Sequence, residues 1–150
     1  MLRIAVCAPS TPLVQDDAAR VTALAANEFP GIELHFHPQC FASEGHFAGP
    51  DDLRLAALLE CANDPAFDAV WFARGGYGAG RIAERAIGQL MPAAKAKAFL
   101  GYSDAGYLLG ALYRARIGHP VHAPMPVDVR RDGGEAAVLS LIHISTSATS

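Results

Sequence analysis

The sequence predicts an α/β domain with a mostly parallel sheet and helices on both of its faces. Short apolar runs alternate with longer stretches of helical spacing, this alternation occurs four times, and no two runs are joined by a two-residue hairpin turn. Strands joined through helices pair in parallel and cross over right-handedly.

The first run, "RIAVCA" (3–8), is short and apolar and is stopped by Pro9 and Pro12, which marks a buried strand and its exit loop. Over 15–28, "QDDAARVTALAANE" sets Ala18, Val21, Leu24 and Ala25 at helical spacing, with acids in the first turn to suit the helix dipole. Pro30-Gly31 ends that helix. "IELHFH" (32–37) alternates as a strand does, and a polar loop then leads to Pro50-Asp51-Asp52, which opens a second helix with Leu53, Ala56, Ala57 and Cys61 inward. "DAVWF" (68–72) is the third strand, "RIAERAIGQL" (81–90) the third helix and "AFLGY" (98–102) the fourth strand. From Asp104 to Ile117, Ala105, Leu108, Leu109, Leu112 and Ala115 share one helical face, and "VHAPMP" carries a fifth strand ending near His122.

In a parallel sheet ligands bind beyond the carboxyl ends of the strands, so the loops after strands one, three and four are the candidates. The first, "APSTP", offers Ser10 and Thr11, but its two prolines withhold backbone donors, and a rigid turn is the preferred reading. The second, "ARGGYGAGR" (73–81), fails the dinucleotide pattern because Arg81 stands where a third glycine is needed, and no phosphate-binding G-x-x-x-x-G-K-[ST] occurs. Its adjacent glycines can still present amides, and Arg74 offers a planar fork suited to a carboxylate; a plain strand-to-helix turn explains it equally well. The third, "GYSDAG" (101–106), puts Ser103 between a strand end and a helix start. There it is either a nucleophile, with the Asp104 amide at the positive helix end as an oxyanion donor, or an ordinary helix cap.

Composition narrows the partners. With 150 residues the chain is one ordinary domain, and 12 basic against 15 acidic residues leave no basic stripe for a nucleic-acid backbone. Cys7, Cys40 and Cys61 are odd in number and lack a C-x-x-C pair, which points to reduced thiols in the cytoplasm and to neither disulfides nor a zinc site. His35 and His37 share a strand face, but no third ligand is indicated, and no metal or cofactor is expected. There is no secretory leader and no run long enough for a membrane span.

Taken together, "DAVWF", "ARGGYGAGR" and "LGYSDAG", with "APSTP" near the start and "VHAP" where a His-Gly-Pro segment is usual, resemble the LD-carboxypeptidase family of serine peptidases. That family trims murein tetrapeptides, and relatives cleave microcin-type peptides. The resemblance implies a flavodoxin-like or class I glutamine amidotransferase-like α/β domain, a hydrolase acting in peptidoglycan recycling, and a peptidoglycan-derived peptide as substrate. It makes Ser103 the nucleophile, with Gly76 and the amide of Asp104 as oxyanion donors and Gly75 a rival to Gly76. Arg74 or Arg81 would hold a substrate carboxylate, and Tyr77 and His122 would line the substrate site. The resemblance also puts the catalytic Glu and His in a C-terminal domain absent from this sequence, so the expectation is a nucleophile-bearing domain over 1–138, inactive or nearly so alone. It leaves room for a homodimer of the full-length enzyme. Residues 139–150, "LSLIHISTSATS", lose the family pattern and are expected to form a non-native or disordered tail. The competing class of function is a non-catalytic module that binds a small anion on the glycine loop, with Ser103 as a cap.

Overall fold

The computed structural model describes residues 1–148, with side chains through His143. Five strands, β1 (Leu2–Cys7), β2 (Ile32–Phe36), β3 (Ala69–Phe72), β4 (Ala98–Gly101) and β5 (His119–His122), form one parallel sheet in the order β2-β1-β3-β4-β5. Five α-helices alternate with them: α1 (Gln15–Glu28), α2 (Asp51–Asn63), α3 (Ala79–Ile87), α4 (Gly106–Ala115) and α5 (Gly134–Ala148). The expected fold class is therefore the observed one. Pro120, which has no N–H for a ladder, sits in β5 at the sheet edge, where that loss is tolerated.

Strand alternation divides the interior into two layers. Ala5, Cys7, Val70, Phe72 and Phe99 face α2, α3 and α4, while Ile4, Val6, Trp71 and Leu100 face α1 and α5. β1, β3 and most of β4 are buried on both faces, which is why they read as unbroken apolar runs.

Two local expectations change. Leu53 and Ala56 are exposed, and α2 instead turns Arg54, Leu55, Leu58 and Ala62 inward alongside Ala57 and Cys61. The run "LRLAALLECA" is apolar on nearly all sides, so helical spacing alone could not select the buried face, and the hydrogen bonds of Arg54 decide it. The second change concerns 139–150, expected as a loose tail: α5 continues to Ala148 and buries Val138, Leu141 and Ile142 in the layer shared with α1. Those three positions follow i, i+3, i+4 helical spacing, which the polar residues of "LSLIHISTSATS" obscure. Residues 149 and 150 lie outside the described residues.

All three cysteines are free and buried. Cys7 hydrogen-bonds Cys61, and that bond together with burial pushes its thiol up; burial does the same to Cys40, whose Sγ donates to the Val6 carbonyl at 3.2 Å. A thiol-specific reagent is expected to modify none of them in the folded chain and all three in denaturant, and rapid native labelling of any one would contradict this burial. Because the folded pKa values of Cys7 and Cys40 are raised, the contribution of these two thiols to stability is complete below the unfolded value of about 8.5. It is lost as pH climbs above that value towards the folded ones, so urea midpoints should fall above about pH 8.5.

Candidate functional site

The chain steps outward from β1 to β2 on one side and from β1 to β3 on the other, so the strand order reverses between β1 and β3. Loops leaving the carboxyl ends of neighbouring strands at such a point diverge and leave a crevice. Three converge here: 8–12 after β1, 73–78 after β3 and 102–105 after β4.

The β4 loop is an elbow. Tyr102 is extended, Ser103 adopts φ +58°, and a 3-10 turn over Ser103–Ala105 passes directly into α4. Ser103 and Arg116 are the non-glycine residues with positive φ among those described, and the conformation costs an L-residue about 1–2 kcal/mol. The strain leaves the Ser103 side chain exposed at the crevice mouth. No side-chain capping bond is made at the start of the 3-10 turn or of α4, so Ser103 is not serving as the helix cap that its sequence position also allowed.

Asp104 behaves differently from its neighbour. Its carboxylate is buried, and Oδ2 accepts from Ser10 Oγ at 2.5 Å and from the Ala79 amide at 2.9 Å. One carboxylate thereby ties the β4 elbow to the β1 loop and to the N-terminus of α3, where a negative charge suits the helix dipole. Its backbone amide has no hydrogen-bond partner among the described residues.

The glycine loop closes against Ser103. A Cβ at Gly75 would stand 2.9 Å from Ser103 Oγ and 3.6 Å from the Asp104 nitrogen, so a side chain at 75 would collide with the hydroxyl. Gly76 has φ +108°, and a Cβ there would lie 2.5 Å from Thr11 Cγ2. Thr11 Oγ1 donates to the Gly75 carbonyl at 2.5 Å. Among the described residues, no hydrogen bond uses the amides of Gly75, Gly76 or Asp104, so Gly75 stays a rival to Gly76 on this count. Free amide donors near an exposed hydroxyl are what stabilisation of an oxyanion requires.

The loops border an open cleft of about 390 Å³ lined by Thr11, Arg74, Gly75, Gly76, Tyr102, Ser103 and, after β5, Met125, Val127, Asp128, Arg130 and Arg131. Three guanidinium groups reach it, but they are not equivalent. Arg130 is paired with Asp17 at 2.5 Å and Arg131 with Asp128 at 3.2 Å. Arg74 makes only a 3.3 Å bond to the Pro12 carbonyl and has no carboxylate partner among the described residues. Asp128 also accepts from Tyr102 Oη at 2.9 Å and from the Met125 amide at 2.8 Å; burial and this carboxylate push the Tyr102 phenol up, keeping it a neutral donor.

Other sequence candidates fall outside this cleft. Arg81 is bound to Asp51 at 3.1 Å and lies over the Phe47 ring, on a separate, larger hollow of about 560 Å³ that holds no nucleophile. Tyr77 is 60% exposed and leans on Phe47, and His122 is exposed at the end of β5 with its ring 5.6 Å from that of Tyr102. His37 bonds Glu60 and His35 stacks near Phe67; among the described residues no three or more His, Cys, Asp or Glu side chains are grouped to hold a metal ion.

Sequence reasoning missed Arg54. Its guanidinium is fully buried and donates to the carbonyls of Pro9 (2.6 Å), Gly78 (2.9 Å) and Gly49 (3.1 Å) and to Asp51. It pins the β1 loop and the glycine loop from beneath; desolvation lowers its pKa, an effect that Asp51 opposes. Ser10 and Thr11 were legible as hydroxyls, but nothing local signalled that each fastens a different neighbouring loop.

Comparison with known proteins places the chain. Residues 4–123 match the family described as LD-carboxypeptidase N-terminal domain. The chain is 31% identical over 123 residues to the murein tetrapeptide carboxypeptidase of Pseudomonas aeruginosa, covering 82% of this chain and 39% of that protein. It is 35% identical over 122 residues to a probable murein peptide carboxypeptidase of Bacillus subtilis, covering 81% and 37%. Among solved structures, the muramoyltetrapeptide carboxypeptidase of Oxalobacter formigenes superposes with a TM-score of 0.68 at 26% identity, covering 83% of this chain and 40% of that one. The chain thus spans about two-fifths of the length of these relatives. Among the described residues no helix is long and apolar enough to cross a membrane.

Proposed function

Because this chain belongs to the LD-carboxypeptidase family through that family's N-terminal domain, we propose that it carries the nucleophile of a serine-type LD-carboxypeptidase acting on murein tetrapeptide in the cytoplasm. The observation that carries the reading is Ser103: an exposed hydroxyl held at φ +58° on a strand-to-helix elbow, near amides of the glycine loop and of Asp104 that have no other partner among the described residues.

In this reading Ser103 Oγ attacks the carbonyl carbon of the amide that joins the terminal D-amino acid to the preceding residue. The carbonyl oxygen takes up negative charge against the amides of Gly76 and Asp104. The hydroxyl proton passes to a general base and from it to the departing amine, leaving an acyl-enzyme that water hydrolyses. Arg74, the unpaired guanidinium of the cleft, takes the free carboxylate of the terminal residue. No side chain among the described residues hydrogen-bonds Ser103 Oγ. We assign the base, and the carboxylate that orients it, to a His and a Glu in the part of the longer relatives that this chain does not span.

The test is release of D-alanine from murein tetrapeptide. The 150-residue chain alone is expected to release little, and a form extended to the length of the relatives is expected to turn over; an extended form that binds tetrapeptide without cleaving it would overturn the reading. In the active form Arg74→Ala is expected to raise KM about tenfold or more with a smaller change in kcat, since a contact made equally in ground and transition states acts mainly on binding. An unchanged KM would remove Arg74 from the carboxylate site.

A further inference from the structure

Thr11 touches the glycine loop in two ways. Its Oγ1 donates to the Gly75 carbonyl at 2.5 Å, and its Cγ2 fills the place a Cβ on Gly76 would need. The hydrogen bond governs more than the carbonyl. The C=O of Gly75 and the N–H of Gly76 belong to one planar peptide unit and, that peptide bond being trans, point in opposite directions. With the carbonyl held on Thr11, the Gly76 N–H is turned away from Thr11. Ser103 stands on the opposite flank from Thr11, since a Cβ on Gly75 would meet Ser103 Oγ and one on Gly76 would meet Thr11.

A peptide unit between two glycines has little to determine its own orientation. Without a Cβ on either side, compensating rotations about Gly75 ψ and Gly76 φ can turn it over at small cost. In the reversed orientation it would present a carbonyl to the developing oxyanion, which is repulsive where a donor is needed. The loop therefore requires an external hold on this one peptide.

We propose that Thr11 is a positioning residue that fixes the orientation of the Gly75–Gly76 peptide, so that the Gly76 amide serves the oxyanion formed at Ser103. This rests on the reading of Ser103 as nucleophile and Gly76 as donor. It gives the "APSTP" segment a function beyond a rigid turn, and it separates the roles of its two hydroxyls: Ser10 anchors the elbow through Asp104, while Thr11 sets the polarity of the hole.

Two substitutions distinguish this from packing. Thr11→Val keeps the branched shape against Gly76 and removes the donor; Thr11→Ser keeps the donor and removes the methyl. The proposal expects Val to lower kcat roughly 10- to 100-fold, short of the 10²–10³ for outright loss of a donor, with KM nearly unchanged, and Ser to retain most of the wild-type rate. A packing role predicts the reverse order, and that order would overturn the proposal. Ser103→Ala serves as the control: if it retains turnover, the underlying nucleophile reading fails, whereas if it is inactive and Thr11→Val is fully active, only the role of Thr11 fails. Amide NMR on the 150-residue chain tests the same point without turnover. The Gly76 resonance should broaden or double in Thr11→Val and stay single in wild type and Thr11→Ser; a single, unshifted resonance in Thr11→Val would overturn the proposal.

Discussion

Ser103→Gly is expected to give a protein that is more stable than wild type and unable to cleave its peptide. The reason lies in the backbone. At φ +58° a Cβ is strained by about 1–2 kcal/mol, and glycine removes that cost. Part of the gain is offset by about 0.4–1 kcal/mol of extra freedom in the unfolded chain, which leaves a net stabilisation on the order of 0.5–1 kcal/mol. Ser103→Ala keeps the Cβ and with it the strain, so its stability should remain near wild type. Both variants lack the hydroxyl, and turnover in the active form should fall by roughly four to six orders of magnitude. Thermal unfolding and D-alanine release read the two effects separately. A stability gain in Gly but not Ala would show strain maintained at the nucleophile; an Ala variant with more than a hundredth of wild-type activity would remove Ser103 from the chemistry.

Arg54→Leu should be the most damaging single change to the folded state. The substitution leaves the carbonyls of Pro9, Gly49 and Gly78 without the donors they use and removes the buried partner of Asp51. Breaking a buried charged network from one side costs about 3–5 kcal/mol, which corresponds to a fall of about 2 M in the urea midpoint for a domain of this size. Arg54→Lys should recover only part of this, because an ammonium cannot span acceptors that a guanidinium fork reaches together. A loss under about 1 kcal/mol in Arg54→Leu would mean that the two loops hold their shape without it.

The fold was legible because strands and helices advertise themselves locally. The apolar runs at 69–72 and 98–101 and the spacing of Ala18, Val21 and Ala25 each say what they are within a few residues. Ser103 and the glycine loop were also visible, as residue types at strand ends. What holds them was not visible. Asp104 reads as an acid in a first turn, and its bond to Ser10 exists only once the sheet has brought positions 94 apart in sequence together. Arg54 sits among leucines and alanines on a helix with no clear polar face, where only tertiary acceptors make the inward orientation favourable. The end of the chain failed for the opposite reason. Its serines and threonines hid a short inward stripe at 138, 141 and 142 that packs, with α1, on one face of the sheet.

The reach of the Ser10–Asp104 bond has a consequence for the order in which the molecule comes into being. A ribosome delivers β1 and its loop first, then β2, which pairs on the far side, and only much later β3 and β4. Contacts of such long sequence separation form late, because the intervening chain must be closed before they contribute any stabilisation. The elbow that strains Ser103, the carboxylate that anchors it and the amides beside it thus cannot coexist on a nascent chain shorter than its first 104 residues. Assembly itself keeps the hydroxyl ordinary until the sheet is built around it.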